Sequence, residues 1–105
     1  MTDSDLIYDG LANAPVAIIL AHGAGKGMDS PFMQYFAESL AANDICVIRF
    51  EFAYMDRARQ RGKRLPPDRM PVLLEAYHDV IQTVRKRLAD HVALFIGGKS
   101  MGGRV

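Results

Sequence analysis

A chain of 105 residues, 50% apolar and 24% charged, has the composition of one soluble globular domain. Its formal net charge of +1 gives no global field that favours nucleic acid or a membrane surface, and its single cysteine, Cys46, excludes an intrachain disulfide. The longest apolar run, residues 14–21, is too short to span a bilayer, and the acidic start MTDSDLIYDG lacks the basic and apolar regions of a signal peptide, so a cytoplasmic setting is expected.

In chain order, LIYDG reads as a short edge strand over residues 6–9 that ends in a turn. PVAIILA (15–21) is a strand whose near-continuous apolar run predicts burial on both faces, as in a parallel sheet covered by helices. Ser30 and Pro31 are a good N-cap and N1 pair for a helix over 31–43, with Phe32, Met33, Phe36 and Leu40 as its apolar face. Asn43 or Asp44 ends that helix, and ICVIRF (45–50) is the next strand. Residues 51–71 read as irregular and hold Arg57, Arg59, Arg61, Lys63, Arg64 and Arg69. A solvated connection closed by Pro66 and Pro67 is the plainer reading of this basic stretch; a grip on a phosphate, a nucleic acid or an acidic partner is the other. No aromatic residue interleaves its charges between 57 and 69, so a base-stacking platform is not supported. A second helix over 71–89 buries Leu73, Tyr77, Val80, Ile81, Val84 and Leu88, with Arg85, Lys86 and Arg87 placed where the helix dipole favours cations. VALFIG (92–97) is the last strand. The alternation predicts an α/β fold with a mostly parallel sheet.

The glycine-rich stretch FIGGKSMGG (95–103) admits two chemistries. A phosphate loop needs G-x-x-x-x-G-K-[ST], and with Gly98-Lys99-Ser100 as its tail the first glycine would fall on Ala93, with strand residues Leu94, Phe95 and Ile96 behind it. GAGKG (23–27) fails the same pattern, because Leu20 stands at the first glycine and Gly27 at the Ser/Thr position. Gly98-Lys99-Ser100-Met101-Gly102 does satisfy G-x-S-x-G, the nucleophile elbow, in which a serine sits on a strained strand-to-helix turn between residues with no side chains to collide. Acyl transfer also needs two N–H donors aimed at the developing oxyanion. Met101 would supply one, and Ala24 or Gly25 in LAHGAGKGMDSP (20–31) the other, if the 15–21 strand lies between the 45–50 and 92–97 strands.

These motifs resemble the N-terminal half of an α/β-hydrolase. More narrowly, HGAG…MDSPFM, VIRFEF.YM and GGKSMGGR resemble a poorly characterised hydrolase-like family of small bacterial proteins and animal relatives, among them a testis-expressed protein and a subunit of a chromatin acetyltransferase complex. The resemblance covers residues 6–105. It implies Ser100 as nucleophile and backbone donors at Met101 and near Ala24; no cofactor is expected, and no cluster of ligands has the spacing of a metal site. The fold's chain order is serine, acid, histidine, and only five residues follow Ser100, none acidic or histidine. His22 belongs to the oxyanion loop, His78 to a helix, and His91 to the amino end of a strand. Residues 1–105 therefore read as a single truncated domain, a fragment or split gene or partial chain, with the triad acid and histidine outside it. Alone it is expected to be inactive, marginally stable, and prone to self-association through the exposed 92–97 edge.

Other residues have plainer roles. Arg49 is expected in a structural ion pair with Glu51 or another carboxylate, Lys99 to pack its stem at the turn, Cys46 to be an inert core thiol, and Asp29 and Ser30 to cap a helix. The expected substrate is a small acyl compound, an ester, thioester or amide, with no nucleic-acid or membrane partner. The alternative is a non-catalytic hydrolase-like interaction module that uses the basic 56–69 loop as its contact surface.

Overall fold

Strings of Val and Ile bounded by Pro15 and Asp44 crowd the backbone toward extended conformations, and in the computed structural model, which describes residues 2–105, they pair into one sheet. Its strands are β1 (Ile7–Asp9), β2 (Val16–Ala21), β3 (Ile45–Phe50) and β4 (Ala93–Gly98). Their spatial order is β1-β3-β2-β4, with β2 parallel to both β3 and β4 and β1 antiparallel to β3. The mostly parallel α/β architecture and the central place of β2 follow the sequence reading.

Helix α1 (Pro31–Ala41) begins where Ser30 Oγ accepts the Met33 N–H at 3.3 Å. Asp44, at φ 62°, then turns the chain into β3. The helix faces the sheet with Met33 and Ala37 rather than with the expected Phe32 and Phe36, which stay 45% and 43% exposed. Small Ala37 lets the helix lie close on β3, while the Phe32 and Phe36 rings meet outside in a tilted pair, 4.7 Å between centres.

Residues 51–71 are not irregular throughout. Helix α2 (Ala53–Arg61) occupies their first half and stops at Gly62, which takes the left-handed C-cap at φ 63°. Its charges hide an ordinary helix signal: Ala, Met, Arg and Gln are strong helix formers, followed by a capping glycine. The α3 helix (Met70–Arg87) then buries Leu73, Tyr77, Val80 and Val84, with Leu88 just beyond, as its three- and four-residue spacing predicts. Ile81 is only half-buried.

The core lies between α3 and one sheet face, where Ala17, Ile19 and Ala21 of β2 meet Cys46, Ile48 and Phe50 of β3. Burial of each large aliphatic side chain here is worth about 1.5–3 kcal/mol. On the opposite face Val47 is fully buried on the side where α1 packs against β3. Among the described strands only β3 is buried on both faces: like β2 it has a strand on each side, but α1 packs directly against it on the face opposite the core. β2 is fully buried on alternate residues only, and β4 is an edge strand that leaves Phe95 and Ile96 56% and 58% exposed. Cys46 is fully buried, and burial pushes its thiol pKa up, as an inert core thiol requires. Among the described residues no helix is long and apolar enough to cross a membrane.

Candidate active site

The register of the sheet brings three loops to one level. Ala21 lies opposite Phe50 on one side and Gly98 on the other. His22, Glu51 and Lys99 therefore leave the carboxyl edge of the sheet side by side, where open α/β sheets bind ligands. The ladder extends one step further, as Lys99 N–H donates to the Ala21 carbonyl at 3.0 Å.

Ser100 follows at φ 53°, ψ −114°, outside the ordinary wells for a side-chain-bearing residue. The short helix α4 (Met101–Arg104) starts directly after it. Glycines make the turn feasible. A Cβ on Gly98 would overlap the Gly102 backbone and lie 2.6 Å from Gly103 N. One on Gly102 would overlap the His22 carbonyl and lie 2.7 Å from that of Ala21. These obstacles are main chain and cannot swing aside. Behind the turn, the Tyr77 hydroxyl reaches the Gly97 carbonyl at 2.8 Å and the Ile19 carbonyl at 3.1 Å, tying α3 to β4 and β2. Burial lifts the Tyr77 pKa to about 12, so it stays a hydroxyl.

The loop after β2 is held from beneath. His22 is fully buried, with Nδ1 2.7 Å from the Gly23 carbonyl and Nε2 accepting the Phe52 N–H at 3.0 Å. An accepting Nε2 leaves the proton on Nδ1, so both ring nitrogens are committed. Burial lowers its pKa from the ordinary 6.5, which keeps the ring neutral. Tyr54, also fully buried, aims its hydroxyl at the Ala24 carbonyl at 3.0 Å and the Gly23 carbonyl at 3.4 Å. In a planar trans peptide the C=O and the following N–H point in opposite directions. Anchoring the Gly23 and Ala24 carbonyls on His22 and Tyr54 therefore turns the Ala24 and Gly25 N–H groups away from that core. Tyr54 also lies 3.9 Å from Met101 Sδ, so one hydroxyl touches both the loop and the turn.

The two segments line a common cavity of about 260 Å³, walled by Gly23, Ala24, Gly25 and Ser30 from the loop side and by Lys99 and Ser100 from the turn. A Cβ on Gly23 would sit 3.8 Å from Ser100 Cβ, in ordinary contact. Ser100 itself is exposed. Lys99 extends its ammonium over the Phe32 ring, 4.9 Å from its centre.

Charges fix the rest of the loop. Glu51 accepts the Met28 N–H at 3.1 Å and Arg59 at 2.6 Å, and Arg59 also binds Asp29 at 2.8 Å. That guanidinium holds the Asp29 carboxyl below its usual range. Asp29 is thus an ion-pair partner and not a helix cap; Ser30 alone caps α1. Arg49 forms its ion pair with Asp9 at 3.0 Å and donates to the Met28 carbonyl at 3.0 Å, while Glu51 is taken by Arg59.

Residues 14–105 match the α/β-hydrolase domain family. The chain belongs to the α/β-hydrolase family. No curated protein and no solved structure matches it. In this α/β-hydrolase chain the three histidines stand apart from Ser100 as bases. His22 has no free ring nitrogen. His78 is exposed on α3 beside Val72, Glu75 and Gln82. His91 precedes β4, whose six residues put about 20 Å between it and the Ser100 end. Sequence reasoning brought Ser100, Met101, Ala24 and Gly25 together but gave Tyr54 no role and did not place Arg64 of the basic stretch at this loop. Arg64 lays its guanidinium over Gly25, 3.1 Å from where a Cβ would stand. The available signal for Tyr54 was its place in EFAYM, an aromatic four residues past the end of an apolar strand.

Proposed function

We propose that this chain carries the nucleophile and oxyanion half of a serine hydrolase that acts on an ester, thioester or amide. Ser100 Oγ attacks the carbonyl carbon, and its proton passes to a histidine outside residues 1–105, oriented by an acid also outside them. Charge that develops on the carbonyl oxygen rests on the N–H of Met101 and that of Ala24 or Gly25. The observation that carries this reading is the strained Ser100 turn opening on the same cavity as the Gly23–Gly25 loop, whose Gly23 and Ala24 carbonyls are anchored on the far side. A nucleotide-binding loop would need flexible residues where β4 lies.

The motifs HGAG, MDSPFM and GGKSMGGR support placement in the narrower hydrolase-like family that includes a testis-expressed protein and a chromatin acetyltransferase-complex subunit. A buried free thiol at Cys46 is in keeping with a cytoplasmic setting. We also propose that the apolar β4 edge drives self-association of the 105-residue chain.

The test is covalent labelling of the full-length protein with a fluorophosphonate. Modification at Ser100, absent in Ser100→Ala, is expected. No labelling, or equal labelling of the variant, removes the catalytic reading and favours a non-catalytic interaction module.

A further inference from the structure

We propose that the substrate is anionic: its acyl or leaving group carries a carboxylate or phosphate that docks beside the Ser100 cavity on Lys26, Lys63 and Arg64. This inference rests on the hydrolase reading of Ser100. A second cavity of about 440 Å³ shares Ala24, Gly25, Lys26 and Ser30 with the Ser100 cavity, so the two form one trough. Met55, Ala58 and Leu65 give it an apolar floor, and Lys26, Lys63 and Arg64 stand on its walls. The trough's local acids are already spent: Asp29 and neighbouring Glu51 both bind Arg59. Lys26, Lys63 and Arg64 have no carboxylate partner among the described residues. Lys99 adds a further cation at the Ser100 end.

The cluster contrasts with the chain as a whole, whose net charge is only +1. Cations gathered around a concave, partly apolar wall focus positive potential there and raise the local concentration of anionic ligands. Arg64 fixes where the anion would sit. Its guanidinium lies over the backbone of Gly25, which has no side chain to keep it off. The anionic group would thus lie beside the Ala24–Gly25 segment that offers the N–H donors, and a short apolar spacer on Met55 and Leu65 would join it to the scissile carbonyl. Arg64 offers a planar fork for either a carboxylate or a phosphate, and the lysines add point charges.

The experiment compares two esters on the full-length protein, mono-4-nitrophenyl glutarate and its methyl ester, which differ by one charge. Turnover by Ser100→Ala is subtracted as background. A kcat/KM preference for the anionic ester of about tenfold is expected at low salt, since several partly exposed charges each contribute modestly. It should fall below about threefold in 0.5 M NaCl and in the double variant Lys63→Gln/Arg64→Gln. The ratio is read on each sample, so a general loss of folded protein cancels. Equal turnover of the two esters, or a preference unchanged in the double variant, overturns the proposal. A binding arm separates this failure from that of the serine reading: glutarate and inorganic phosphate are titrated into Ser100→Ala and into Ser100→Ala/Lys63→Gln/Arg64→Gln. Binding to the first that weakens in the second supports the anion site even if fluorophosphonate never labels Ser100. The tighter of the two anions identifies the group, and no binding of either overturns it.

Discussion

Replacing Ser100 with glycine should make the protein more stable than replacing it with alanine. Ser100 sits at φ 53°, ψ −114°, where a Cβ crowds the backbone. Residues held in such regions carry about 1–3 kcal/mol of strain. The Ser100 hydroxyl makes no capping hydrogen bond and is exposed, so its loss costs little. Alanine keeps the Cβ and the strain, whereas glycine relieves it. Glycine's freer unfolded chain offsets about 0.5–1 kcal/mol of that gain. The net expectation is that Ser100→Gly exceeds Ser100→Ala by about 1 kcal/mol, and by at most about 2.5 kcal/mol. Equilibrium urea unfolding of both variants measures it, with equal m-values showing that the unfolding reaction is the same. If Ser100→Ala is as stable as Ser100→Gly or more so, the turn is not strained, and the mechanical account of why glycines flank the serine fails.

Three further outcomes follow from the same geometry. Tyr54→Phe removes the hydroxyl that anchors the Ala24 carbonyl while His22 still holds that of Gly23; fluorophosphonate labelling of Ser100 should slow about tenfold, less than the loss of a whole oxyanion donor, and an unchanged rate in folded protein would refute the positioning role. His22 has its pKa lowered by burial, so its contribution to stability is fully present above pH 6.5 and declines as acid protonates the unfolded chain first, by up to about 1.4 kcal/mol per pH unit. Urea midpoints between pH 7.5 and 5.5 should therefore fall more steeply in the native sequence than in His22→Asn, and parallel curves would contradict this. For the β4 edge, sedimentation should show the 105-residue chain associating at micromolar concentration and Ile96→Lys dispersing it; a native chain that sediments as a monomer would refute edge-driven association.

Local signals carried much of this protein. The apolar runs at 15–21, 45–50 and 92–97 and the spacing of Leu73, Tyr77, Val80 and Val84 made strands and a helix legible, because burial and periodicity are written in adjacent residues. The G-x-S-x-G pentapeptide was legible for a similar reason, since a turn that tight tolerates few residue types. The tertiary structure decided which carboxylate meets which arginine: Arg49 pairs with Asp9 across the antiparallel β1–β3 register, and Arg59 claims both Asp29 and Glu51. It decided that α1 faces the sheet with Ala37, not Phe36, because close approach to β3 outweighs the hydrophobicity of single side chains. It also brought Tyr54 under the Gly23–Ala24 peptides from 30 residues away. Composition and spacing report on neighbours along the chain, whereas hydrogen bonds and ion pairs at the edge of a sheet depend on how separate loops come to one level.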